Sequence, residues 1–261
     1  MLAADELREV ASRFGVDETQ VRRDHLISHL LAAVSATARD SVIFFGGTAL
    51  SRSLVPDGRL SEDVDLIALG RRTEVAERLD RAIPRALRRE YPGLTWDPSL
   101  IAGRDTDPAI LHSPDGVAVR VQLLNAVGYP QWPTEEVDLV QRYSDAPAAV
   151  LTVPTAAGFV AAKTAAWHDR AAARDLWDLW ALAERGHLTE EAADLYARVG
   201  PTNGRPDPAT FSEAPSEDRW RRDLGGQVRL TVTAAKALAV VRKSWARLAV
   251  PSCIPARGDS S

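Results

Sequence analysis

The chain has 261 residues, 45% hydrophobic and 26% charged, which suits a soluble globular protein with room for one large domain or two lobes. Its formal net charge of −4 excludes a uniformly basic nucleic-acid binder, so nucleic-acid contact would have to come from a local patch. One cysteine (Cys253) excludes a disulfide framework, and the charged opening MLAADELREVASRF lacks a signal-peptide core; with no apolar run of membrane-spanning length, the expected location is the cytoplasm.

Residues 3–14 and 17–39 read as helices; the second is opened by Asp17 and carries Val21, Leu26, Leu30, Leu31 and Val34 at helical spacing. Val42–Phe45 reads as a strand running into Gly46-Gly47-Thr48, followed by a short helix candidate with Leu50 and Leu54. A second strand, 64–69, begins inside the acidic segment Ser61-Glu62-Asp63-Val64-Asp65. Residues 73–91 read as a charged helix in which Pro84 predicts a kink or break. Short strands are expected at 94–96 and 109–112, then a turn at Pro114-Asp115-Gly116 and an alternating strand at 117–124. Residues 125–153 read as an irregular connection. From Pro154 the texture is helical, with helices at 155–170, 172–185 (closed by Gly186) and 189–199. The Pro-, Gly- and Ser-rich stretch 200–219 reads as a linker or mobile loop, and 227–249 as a last helix that stops before Pro251. No internal repeat is seen. The pattern predicts an α+β protein: a mixed α/β lobe over 1–150, an all-helical lobe over 151–250 and a disordered tail at 251–261, with an active site in the cleft between the lobes.

The chemistry concentrates between residues 44 and 66. Residues two apart on a strand share a face, so Asp63 and Asp65 aim both carboxylates into one small volume. Two like charges so close need a cation, or one must take up a proton. Beside them Gly46 and Gly47 permit close backbone approach to a phosphate, and Thr48 adds a hydroxyl. The natural cation is then Mg²⁺ (or Mn²⁺) carrying a nucleoside triphosphate. Ser61, two residues before Asp63, reads equally as a phosphate contact or as a turn serine.

The pattern GGTAL followed by R-x-S-x-D-x-D-L (Arg59 to Leu66) resembles the AbiEii/AbiGii-type toxin nucleotidyltransferases, which include MenT-like toxins and are a branch of the DNA polymerase β-like superfamily. A second block, Lys163-Thr-Ala-Ala-Trp167, then Arg170 and Arg174-Asp175-Leu176-Trp177-Asp178-Leu179, is similar to the same family's K-x-x-A…R…R-D-x-x-D-L segment. The resemblance covers roughly residues 20–185. It implies a polymerase β-like nucleotidyltransferase N-terminal lobe, and catalytic roles for Asp63, Asp65, Lys163 and Asp175, with the metal on Asp63 and Asp65. It implies nucleotide contacts from Gly46, Gly47, Thr48, Ser61, Lys163 and Arg174. The implied reaction is attack of an RNA 3′-hydroxyl, most plausibly that of a tRNA, on the α-phosphate of an NTP, which would block translation. The implied genetic partner is a cognate antitoxin. One departure stands out: where the superfamily places a third carboxylate on a neighbouring strand, this chain has Gln122, which supplies no charge and is a poor base. Either Asp175 takes over the deprotonation, or the enzyme is slow, or the protein only binds nucleotide or RNA.

Lys163 lies among small apolar residues, so a packed helix is expected to hold it toward an anion, the triphosphate. Arg174 and Asp178 are also spaced as an intrahelical ion pair. Trp167, Trp177 and Trp180 read as core rather than as a base-stacking platform. His25, His29, His112, His168 and His187 show no metal-ligand spacing, and no zinc site is expected. Near the C-terminus Arg229, Lys236 and Lys243 recur at seven-residue steps, which drift only about 20° around a helix, so they form a basic stripe suited to an RNA backbone or simply to solvent. Transfer to a small molecule or a protein remains the alternative reaction.

Overall fold

The computed structural model describes residues 2–104 and 106–249; the tail expected at 251–261 lies outside them. The elements follow from local signals. Helix α1 (Ala4–Phe14) ends on Gly15, whose φ of 68° makes the left-handed cap. Helix α2 (Glu18–Ala38) starts where expected, with the Asp17 side chain accepting from Gln20 N at 2.8 Å. Strand β1 (Val42–Phe45) leads directly into α3 (Gly46–Arg52), and β2 (Asp63–Ala68) follows. Helix α4 (Arg72–Ala86) ends two residues after Pro84, earlier than the expected 91. Then come β3 (Thr95–Trp96), β4 (Ala109–His112), β5 (Ala118–Asn125), β6 (Thr134–Asp138) and β7 (Val150–Pro154).

These strands form a mixed sheet in the order β3-β4-β5-β2-β1-β7-β6. β2 runs antiparallel to β1 and parallel to β5, while β1 runs parallel to β7. Strands β6 and β7 correct the reading of 125–153 as irregular. TEEVD is an exposed edge strand without hydrophobic alternation, and β7 follows Pro147 closely and ends on Pro154. β7 starts at Val150 and hydrogen-bonds to β6 and β1, so the sheet runs on to Pro154, past the expected lobe boundary.

Alternation divides the sheet's two faces. Val42, Phe44, Val64, Leu66, Val119, Val121 and Leu123 are all 0% exposed and belong to one apolar core with residues of α2 and α4. The opposite face carries Phe45, Asp63, Asp65, Arg120 and Gln122 in register.

The helical part comprises α5 (Ala156–Arg170), α6 (Ala173–Glu184), α7 (Glu190–Val199), α8 (Glu217–Leu224) and α9 (Ala234–Ala249). Thr155 caps α5 by accepting from Gly158 N at 3.2 Å. The stretch 200–219 is not a loose linker. Its 3-10 turn Pro208–Phe211 buries Phe211 completely, stacked on Trp167 with ring centroids 5.8 Å apart. Helix α9 is shorter than the expected 227–249 and starts at Ala234. Among the described residues, no helix is long and apolar enough to cross a membrane.

Candidate nucleotidyl-transfer site

The site begins at the β1–α3 junction. Gly46 has a φ of 80°, and a Cβ built there would lie 2.2 Å from Asp65 Oδ2. The glycine therefore leaves room for the Asp65 carboxylate against the backbone. At Gly47 an added Cβ would lie 2.4 Å from Arg59 Nη2. Gly46→Ala is expected to cost roughly 1–2 kcal/mol from backbone strain alone and to displace Asp65. Chemical denaturation together with a transfer assay checks this, and an alanine variant of unchanged stability and rate would remove the steric argument.

Asp63 and Asp65 sit two apart on β2, both partly buried and on one sheet face. Burial, then the charge of Asp63, pushes Asp65 up to about 6, while Lys163, Arg170 and Arg120 pull it down. A carboxylate raised in this way gains most from a cation, and hard oxygen donors suit Mg²⁺ or Mn²⁺. The two aspartates therefore fit a divalent ion. In register beside them on β5, Arg120 lies opposite Asp63 (3.8 Å, Nε to Oδ1) and Gln122 opposite Asp65. The Gln122 amide donates to Thr106 O at 3.1 Å. The third strand thus brings a cation and an amide and no acid.

Across the cleft, Arg59 and side chains of α5 and α6 form a chain of alternating charges, buried except at its exposed end, Arg170. Arg59 Nε and Nη2 donate to Asp178 at 2.9 and 3.0 Å. Asp178 also takes Lys163 Nζ at 2.7 Å, and Lys163 lies 3.4 Å from Asp175. Arg170 grips both Asp175 oxygens at 2.7 and 3.0 Å. Asp175 and Asp178 are 0% and 1% exposed, and their basic partners hold both below the usual carboxylate range against the cost of burial.

Several expectations change accordingly. Asp175 accepts from Arg170 on both oxygens and is depressed in pKa, so it is a poor general base; it holds Lys163 and Arg170 in place. Lys163 already has anions within the protein, yet it lines the cleft together with Gly46. The Thr48 hydroxyl is committed to the Asp63 backbone carbonyl, and Thr48 is 1% exposed, so it braces the strand rather than opening to ligand. Ser61 is buried and accepts from Arg59 Nη1 at 3.4 Å. Asp178 pairs with Arg59 and Lys163, and Arg174 points elsewhere: it lines a groove of about 430 Å³ with Glu62, Arg219, Arg222 and Asp223. Arg229 lies before α9, not on it, and donates to Ser12 O at 2.6 Å. The exposed row on α9 is Lys236, Lys243 and Arg247 instead. His25 and His29, read as unclustered, meet Asp145 in space.

Two residues had no role assigned from the sequence. Arg59 and Arg170 both stand in the quoted motifs, but their partners lie on other segments or across a turn. The signal was the motif itself: arginines in a chemistry-bearing block need carboxylates.

Beside Asp65 opens an apolar cavity of about 330 Å³, lined among others by Phe45, Gly46, Tyr129, Trp132, Phe159 and Lys163. Tyr129 packs edge-on to Phe45 with centroids 5.2 Å apart. Strand β1 and helix α5 both contribute to it, so it lies between the sheet and the helical part.

Residues 29–246 match the family model described as "Nucleotidyl transferase AbiEii toxin, Type IV TA system". The structure is similar to MenT4, a nucleotidyltransferase toxin from Mycobacterium tuberculosis H37Rv, at 23% identity and TM-score 0.65, over 88% of this chain and 84% of that one. It is also similar to a structure from H. pylori described as a nucleotidyltransferase, at 15% identity and TM-score 0.52, over 89% of this chain and 96% of that one. At these identities the structural likeness shows the fold. No curated protein matches the sequence.

Proposed function

The chain belongs to the AbiEii nucleotidyl transferase toxin family, and from that premise we propose that it moves a nucleoside monophosphate from an NTP to the 3′ end of an RNA, a tRNA, and so blocks translation in the cytoplasm. The observation that carries this reading is the Asp63–Asp65 pair facing the charges of Lys163 and Arg170 at an apolar cavity.

In this reading the nucleobase and ribose occupy the cavity walled by Phe45, Tyr129 and Trp132. The triphosphate lies over Gly46 and Gly47, whose N–H groups open α3. Lys163 has three N–H donors; Asp178 and Asp175 engage two, and the third serves phosphate. Asp175 and Asp178 thus position Lys163 and Arg170, which counter the charge that builds on the transferring phosphoryl group. Asp63 and Asp65 would hold a divalent ion, Mg²⁺ or Mn²⁺, which when bound neutralises triphosphate charge. The RNA 3′-hydroxyl passes its proton to water as its oxygen bonds to the α-phosphorus, the bond from that phosphorus to the α,β-bridging oxygen breaks, and pyrophosphate leaves. A cognate antitoxin is the expected genetic partner.

The acceptor would be recognised through its phosphates. The groove of Arg174, Arg219 and Arg222 adjoins Glu62, the residue before Asp63, and Lys236, Lys243 and Arg247 line α9. Changing Lys236, Lys243 and Arg247 together to Glu is expected to weaken RNA binding and to lower the logarithmic salt slope by roughly 0.9 for each lost duplex phosphate contact. NTP binding should stay as it was. An unchanged salt slope would return α9 to the role of a solvated face.

The reading is tested by incubating the protein with total RNA and each α-labelled NTP, then sizing the products. Label at tRNA length supports it. Label on a small molecule or on protein would move the acceptor to that class, and NTP binding without turnover would favour a catalytically weak binding protein.

A further inference from the structure

We propose that His25, His29 and Asp145 form a second metal site, for a divalent transition ion of the Zn²⁺ type, separate from the carboxylate pair on β2. His25 and His29 stand one turn apart on α2, with ring centroids 4.6 Å apart. Asp145, from the segment between β6 and β7, reaches over both. Its carboxylate lies 2.9 Å from His25 Nε2 and 3.6 Å from His29 Nε2. The three ligand atoms lie within 4.8 Å of one another. Tetrahedral zinc with bonds near 2.0–2.2 Å sets its ligand atoms roughly 3.3–3.5 Å apart. Shifts of about an ångström or less would therefore close the set around an ion.

The second observation is an orphan. His29 is 4% exposed, and among the described residues its Nε2 has no hydrogen-bond partner, Asp145 standing 3.6 Å away. An unsatisfied buried nitrogen is costly and uncommon. A metal ion is what this lone pair lacks. Burial, then the neighbouring His25, lowers the His29 pKa, which favours the neutral imidazole that ligates. The other side of His25 is already fixed, because its Nδ1 is hydrogen-bonded to the Tyr91 hydroxyl. Holding the far nitrogen in this way orients a ligating imidazole. A cavity of about 320 Å³ beside His25, walled by Arg22, Glu90, Tyr91 and Asp115, gives an entry path and room for a water as fourth ligand.

Two imidazole nitrogens and one carboxylate select Zn²⁺, Co²⁺ or Ni²⁺ over Mg²⁺, which wants oxygen. An ion here would staple the segment before β7 to α2. The same segment carries Arg142, which donates to Ser51 O at 2.6 Å, and Tyr143, which donates to Asp24 at 3.0 Å. It thereby braces the C-terminal end of α3, the helix that opens with Gly46 and Gly47. The ion's role is structural: it clamps the support of the nucleotide-binding turn.

The test uses untagged, chelator-stripped full-length protein and Co²⁺ as a spectroscopic probe. The expected result is a visible d–d band of four-coordinate Co²⁺ that saturates at one equivalent. Zn²⁺ should bleach it, and excess Mg²⁺ should leave it. Zn²⁺ should also raise the melting temperature in the absence of nucleotide. His29→Gln and Asp145→Asn should each weaken the ion by about tenfold or more and remove the thermal shift, while Asp63→Ala keeps both. No band and no thermal shift in the wild type would overturn the proposal, as would a band that survives unchanged in both variants. If His29→Gln fails to fold, Asp145→Asn, altered at a partly exposed side chain, decides between the two results.

Discussion

Asp63→Ala is expected to abolish nucleotidyl transfer while leaving the fold intact. Asp63 is partly exposed at the first position of β2, and its side chain lies 3.8 Å from the Arg120 guanidinium. The bond that ties this part of β2 to α3 runs from the Thr48 hydroxyl to the Asp63 backbone carbonyl, which alanine keeps. The carboxylate is therefore not needed for folding. Its removal also takes away a charge that raises Asp65, so the surviving acid loses part of its demand for a cation. Losing a group that organises charge in the transition state costs at least about a hundredfold in rate. Label incorporation from an α-labelled NTP measures the loss, and a thermal melt checks the fold. A variant that transfers at near wild-type rate would mean that the chemistry lies elsewhere.

Asp178→Ala is expected to be the most destabilising single change near the site, by about 3–5 kcal/mol. Its carboxylate is 1% exposed and answers both Arg59 and Lys163, which are themselves buried. Alanine would leave two cations desolvated and short of their counter-charge. Arg59 keeps Gln227 Oε1 at 2.8 Å and Lys163 keeps Asp175 at 3.4 Å, which offsets part of the loss. Urea denaturation reads the effect directly, and a change below about 1 kcal/mol would place Asp178 among ordinary surface acids. Asp178→Asn keeps the shape and one acceptor, so it should fall between alanine and wild type.

Much of the fold was legible because its signals are local. Asp17 and Thr155 each bond an amide three residues on, and Gly186 takes its left-handed φ of 74° just past α6. Strand β6 was not, because an edge strand with one face in water needs no hydrophobic alternation, so TEEVD looks like a loop. The start of α9 was misplaced for a different reason. Residues 227–233 have a usable helical pattern, but Leu60 N donates to Gln227 O at 2.8 Å and Arg229 docks on Ser12, and these distant bonds hold the segment out of the helix.

At the site, the sequence by itself determined the pair of acids. An i, i+2 spacing on a strand settles that Asp63 and Asp65 share a face, and a Gly-Gly step settles that the backbone can come close to them. The tertiary structure decided what each remaining polar side chain faces. Asp178 is 119 positions from Arg59, His25 is 120 from Asp145, and Arg174 lines a separate groove rather than meeting Asp178 one turn along its own helix. Spacing along a helix or strand reports only the face a side chain occupies. Which charge ends up opposite that face depends on how separate elements pack, and the desolvation of buried ions then makes the pairing obligatory.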